Sequence, residues 1–126
     1  MRPPRNDPGI NTAYLVSWPT HEVIKAGYTG YRRRYRAYEL RGADILGVWE
    51  FSNVGDALRA EATLDRCLRV FGDVAFESAG EAAALIGGGG AGYTECIRVP
   101  SIMRAGAVEQ CAVAMLTSNA VRQCCP

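Results

Sequence analysis

Two apolar runs rich in β-forming residues, Ala13 to Trp18 and Glu22 to Tyr28, flank Trp18-Pro19-Thr20-His21, a pattern that predicts an antiparallel hairpin. A helix is expected from about Gly30 to Leu40 with Thr29 as its cap, followed by a third strand from Ala43 to Phe51. Asn53, with Asp56 three residues on, opens a longer segment to Phe71 that keeps a helical period. Gly80 to Ile86 reads as a short helix stopped by the run Gly87-Gly88-Gly89-Gly90-Ala91-Gly92, and Tyr93 to Val99 reads as strand-like. Pro100 marks a boundary, and Ile102 to Thr117 reads as a further apolar helix. Together these elements predict an α+β fold with a small central, mainly antiparallel three-stranded sheet flanked by helices. Residues 1–11, with three prolines, are expected to be irregular, 12–100 to form the domain, and 101–126 a C-terminal helix and tail.

Composition narrows the class. One core suffices for 126 residues and 13.6 kDa, and 48% hydrophobic against 21% charged residues suits a folded chain. No apolar run reaches the roughly 20 residues of a membrane span, and residues 1–11 are polar, so a cytoplasmic protein without membrane association is expected. Five cysteines with no Cys-x-x-Cys pair and no neighbouring histidine argue against zinc and for a reducing compartment. The net charge of +1 hides an asymmetry, because residues 1–41 carry eight basic against three acidic side chains while residues 42–126 sum to −4. Of the 14 basic residues 13 are arginine, which suits phosphate recognition but equally a GC-rich coding bias.

Chemistry enters where charge interrupts the apolar pattern. At 100° per residue, Val54, Ala57, Ala60, Leu64, Leu68 and Phe71 share one helix face, and Glu61 falls inside that stripe. A carboxylate turned inward needs a cation, a metal ion or an arginine beside it, and an ion pair and a metal site stand equally open here. Tyr31, Tyr35 and Tyr38 make an aromatic stripe at i, i+4 and i+7 that should face the sheet, with Arg32, Arg33 and Arg36 outward. Arg34 lies about 60° from the centre of that stripe, near enough to reach an internal site. In the hairpin, a four-residue connection pairs Tyr14 with Gly27 and Val16 with Lys25, so Tyr14 and Lys25 share a face. A nearby ammonium is expected to lower the pKa of the phenol and make it a proton acceptor, although an ordinary strand tyrosine satisfies the same pairing. The glycine run lacks the Lys-Ser/Thr ending of a phosphate loop and reads as a connector without chemistry, and His21 as an exposed turn residue.

In order along the chain, Thr12-Ala13-Tyr14, Lys25-Ala26-Gly27-Tyr28-Thr29, Arg34-Tyr35, Glu61-Ala62-Thr63-Leu64-Asp65 and Gly92-Tyr93-Thr94-Glu95 resemble the motifs of the GIY-YIG nuclease superfamily. The likeness is to its phage and bacterial branch, whose second motif reads Lys-Ile-Gly-Tyr-Thr, and it spans roughly Thr12 to Val99. The resemblance implies hydrolysis of DNA phosphodiester bonds with one divalent metal ion, Mg²⁺ or Mn²⁺. It implies Tyr14 as general base, Lys25 in the place of a second tyrosine, Arg34 on the scissile phosphate and Glu61 as metal ligand. Gly27, Tyr28 and Thr29 belong to the second motif, and Tyr38 aligns near a position that is histidine in many members. Arg32, Arg33, Arg36 and Arg41 are the expected DNA-backbone contacts. The first motif departs from Gly-Ile-Tyr, and the place of the family's late asparagine falls to Glu95 or Thr94. Two rivals accompany this reading. One is a module of the same fold that binds nucleic acid or protein without cutting, and the other is an interaction protein, a homodimer included, built through Ile102 to Thr117.

Overall fold

The computed structural model describes residues 11–30 and 34–124. Strands β1 (Asn11–Trp18) and β2 (Val23–Thr29) form the expected hairpin, with Tyr14 opposite Gly27 and Val16 opposite Lys25. A 3-10 turn over Pro19–His21 closes it, and Glu22 takes a left-handed φ of 56° so that its N–H can return to the Pro19 carbonyl. Helix α1 (Tyr35–Glu39) and strand β3 (Asp44–Phe51) follow. The α1 helix begins at Tyr35 rather than at a Thr29 cap, and residues 31–33 lie outside the described residues. Asn53 caps α2 (Val54–Arg69), its side-chain oxygen accepting the Asp56 N–H at 2.8 Å. Strand β4 (Asp73–Val74), helix α3 (Ala79–Ile86), strand β5 (Cys96–Arg98), helix α4 (Ser101–Met115) and strand β6 (Arg122–Cys124) complete the order.

The fold is α+β, but its sheet has six antiparallel strands rather than three, in the order β4-β5-β2-β1-β3-β6. The three added strands are two or three residues long. β5 falls inside the expected Tyr93 to Val99, whereas β4 and β6 are too short to carry a readable alternation and become strands by pairing with the edges of β5 and β3. Tyr93 to Glu95, expected as the start of a strand, forms a 3-10 turn instead.

Side chains alternate to two faces. Ala13, Leu15, Ile24, Ala26, Trp49, Phe51 and Ile97 pack beneath Ala57, Ala60, Leu64 and Leu68 of α2 and Ala107, Cys111 and Met115 of α4. Tyr14, Val16, Trp18, Val23, Val48 and Cys96 pack beneath Tyr35 and Tyr38 of α1 and Ala82 and Ile86 of α3. The apolar stripe of α2 is therefore the expected one except at Val54, which is exposed in the first turn. Residues 101–124 share this core rather than trailing from it: α4 lies on α2 and β6 extends the sheet at β3. The Glu22 carboxylate anchors the start of α4, accepting the Ser101 N–H at 2.6 Å and its hydroxyl at 2.9 Å. The apolar side of α4, a candidate surface for a second chain, is thus covered by its own α2, while Ile102 and Leu116 stay exposed. Among the described residues, no helix is long and apolar enough to cross a membrane.

Candidate active site

The site forms where the sheet is locally incomplete. Strand β5 begins at Cys96 and pairs with Val23, Ile24 and Lys25 of β2, so β2 continues to Thr29 with no strand beside it on that side among the described residues. Around this gap lies a small open cavity of about 110 Å³. Tyr14, Lys25, Arg34 and Glu61 all line it, joined by Tyr38 and Glu95. Each arrives from a different element: Tyr14 from β1, Lys25 from β2, Arg34 from the residue preceding α1, and Glu61 from α2, the helix that covers the opposite face.

Local sequence explains the fit. A Cβ on Gly27 would lie 2.2 Å from Cζ of Tyr14 and 2.3 Å from its Oη, so only glycine lets the phenol lie across β2. The Tyr14 ring is 1% exposed and packs on Tyr35 and Tyr38 at centroid distances of 5.6 and 6.1 Å. Lys25 is 3% exposed, and its Nζ donates to the Ala26 carbonyl at 3.2 Å and lies 5.7 Å from the centre of the Tyr38 ring.

Burial dominates the electrostatics. It pushes the Tyr14 phenol well above the ordinary tyrosine range, and Tyr38 adds to this through its own charge and a hydrogen bond, against a smaller lowering by Arg34. The acidic phenol expected from a neighbouring lysine is therefore corrected, because desolvation outweighs the cations of the site. Burial also raises the half-buried Glu61 carboxyl; Glu95 and Asp65 raise it further and Lys25 opposes them. Burial moves the Cys96 thiol, beside the same lysine, up to about 11.

The remaining expected site residues divide. Tyr28 and Gly27 line the cavity, whereas Thr29 closes β2 as a buried residue. Arg32 and Arg33 lie outside the described residues. Arg36 is exposed and pairs with Glu39 at 3.1 Å. Arg41 donates through Nε to the Leu85 carbonyl and through Nη2 to that of Ala84, both at 3.1 Å. Its exposed guanidinium thus closes the C-terminus of α3, where unsatisfied carbonyls attract a cation. His21 is exposed in the turn, as expected.

The glycine run is more than a connector. Ala91 and Gly92 form one wall of the cavity, and a Cβ on Gly92 would lie 2.8 Å from Nζ of Lys25, at a φ of +85°. A Cβ on Gly90 would meet the Ala79 carbonyl oxygen at 1.8 Å, which holds the loop tight against α3. Glycines in series are the signal that backbone must approach something closely, and a motif search for phosphate loops passes over it. Thr94 and Glu95 are placed differently. Glu95 lines the cavity, while the Thr94 hydroxyl donates to its Oε2 at 2.6 Å and the Thr94 carbonyl accepts from Arg69 at 2.7 Å.

Among the described residues no three His, Cys, Asp or Glu side chains converge as a metal cage. Two carboxylates on one solvent-open cavity nevertheless suit a hard divalent cation, which takes oxygen ligands and keeps several waters. No protein-family model, curated protein or solved structure matches this chain.

Proposed function

We propose that this chain is a divalent-metal-dependent endonuclease that hydrolyses DNA phosphodiester bonds with a site of the GIY-YIG type. The observation that carries the proposal is the convergence of a phenol, a guanidinium, a buried ammonium and two carboxylates, far apart in sequence, on one open cavity. Glu61, with Glu95 beside it, would hold Mg²⁺ or Mn²⁺, which supplies Lewis-acid charge toward the phosphate. Arg34, exposed at the rim, binds and neutralises the phosphate oxygens on which negative charge develops. Lys25 holds a fixed positive charge on the wall beneath them. As general base Tyr14 first releases its phenolic proton to solvent through the open mouth of the cavity; its Oη then orients the attacking water and takes that water's proton, which returns the neutral phenol.

Nicking of supercoiled plasmid DNA in Mg²⁺ tests this directly. Glu61→Gln and Arg34→Ala should each lower the rate by about 10²-fold or more while the protein stays folded. Wild-type cleavage that neither change affects would remove the site. A second reading has one observation behind it: burial keeps the Tyr14 phenol protonated, which suits a module that holds DNA without cutting it. Wild-type protein that binds DNA but shows no metal-dependent nicking would favour that module.

A further inference from the structure

The α2–α4 seam carries a pair of thiols that the proposed reaction does not use. Cys111 of α4 is buried, Cys67 of α2 is half-buried against the same cluster, and the two thiols are neighbours across the seam. Cys111 Sγ also lies 3.9 Å from the Leu64 carbonyl oxygen. The neighbouring buried residues Ala60 and Ala107 are small, which lets the two helices approach closely. A disulfide requires its two Cα atoms to lie within about 7 Å, a separation that close packing of two helices over small residues permits. Cys96, also buried, belongs to the opposite face of the sheet.

We infer that Cys67 and Cys111 form a redox-active dithiol, which a low-molecular-weight disulfide such as oxidised glutathione converts to a disulfide clamping α4 onto α2. This inference stands apart from the nuclease reading. Cys67, the accessible partner, loses its proton, and its thiolate attacks one sulfur of the small disulfide; that S–S bond breaks and one thiolate leaves. Cys111, deprotonated in turn, attacks the Cys67 sulfur of the mixed disulfide and expels the second thiolate. Two protein thiols are oxidised by two electrons, the small disulfide is reduced to two thiols, and the two protons pass to those thiols. Burial pushes the Cys111 thiol up to about 12, which leaves the first attack to Cys67 and makes closure the slower step.

The test uses the full chain with Cys124→Ser and Cys125→Ser, which leaves three cysteines. After incubation with oxidised glutathione, tryptic digestion without reductant should yield residues 67–69 linked to residues 105–122. The thiol count of the denatured protein should fall from three to one. The urea midpoint should rise, and dithiothreitol should reverse all three changes. Cys67→Ser, a small change at a half-buried position, should abolish the linked peptide and the rise in midpoint. A persistent mixed disulfide on Cys67, three remaining thiols, or a crosslink through Cys96 would each overturn the inference.

Discussion

The two faces of the sheet are made by alternate residues of the same strands, yet they differ in kind. Beneath α2 and α4 lie mostly aliphatic and small side chains, with Leu15, Leu64, Leu68 and Phe51 fully enclosed. On the other face Tyr35 and Tyr38 of α1 pack onto Tyr14 and Trp18 of β1. There Trp18 meets Tyr38 edge-on at 5.7 Å and donates its indole N–H to the Arg41 carbonyl at 3.2 Å. Aliphatic groups fill space and need nothing further, whereas rings with polar tips need partners, and two of these, Tyr14 and Tyr38, line the open cavity. One face is therefore a closed, mostly aliphatic core, and the other borders the cavity on which the proposed site rests. Helix α2 serves both, with Leu64 in the closed core and Glu61 reaching the cavity at the gap beyond β5.

Breaking the closed face should give the largest loss of stability. Leu64→Ala is expected to cost about 2–5 kcal/mol in urea unfolding, with cleavage per folded molecule unchanged. A cost below about 1 kcal/mol would show that α2 is not docked as described. Gly27→Ala attacks the boundary between core and site. Its Cβ would collide with the Tyr14 phenol, so a loss of about 1–3 kcal/mol is expected together with loss of nicking. Full activity in that variant would place the phenol outside the reaction.

Tyr14→Phe is gentler, removing one hydrogen bond for about 1 kcal/mol and sharply reducing cleavage. It also carries a pH signature. The folded-state pKa of Tyr14 lies above the ordinary 10.0, so its contribution is complete below that value and is lost as pH rises above it, where the unfolded chain ionises first. Denaturation midpoints measured into the alkaline range should therefore fall less steeply for Tyr14→Phe than for the wild type. The smallest effect is expected at Glu22, whose carboxyl the Ser101 N–H and hydroxyl hold below the ordinary range. A depressed pKa contributes stability above the unfolded value of 4.5 that is lost as pH falls through the folded one. Glu22→Gln should flatten the acid limb of the stability profile by a small amount. An unchanged acid limb would mean that the α4 anchor is not ionic.

Hairpin register was legible because Pro19 and the apolar runs leave one economical pairing, and that pairing set Tyr14 against Gly27. The inward tendency of Glu61 was legible from its helical angle. The fate of Arg41 was not, because its carbonyl partners lie more than 40 residues away. The role of the glycine run was hidden for the same reason, since what Gly90 and Gly92 approach belongs to α3 and β2.

Local periodicity, caps and turn residues determined the main elements, the alternation of the two faces and most of the residues that meet at the cavity. Those features depend on backbone geometry within a few residues, which the order of side chains encodes directly. Tertiary packing alone decided the short edge strands, the inclusion of α4 in the core, the gap beyond β5 and the protonated state of Tyr14. Each depends on hydrogen-bond partners or excluded water supplied by distant segments, and desolvation has no signature in the residues nearest in sequence.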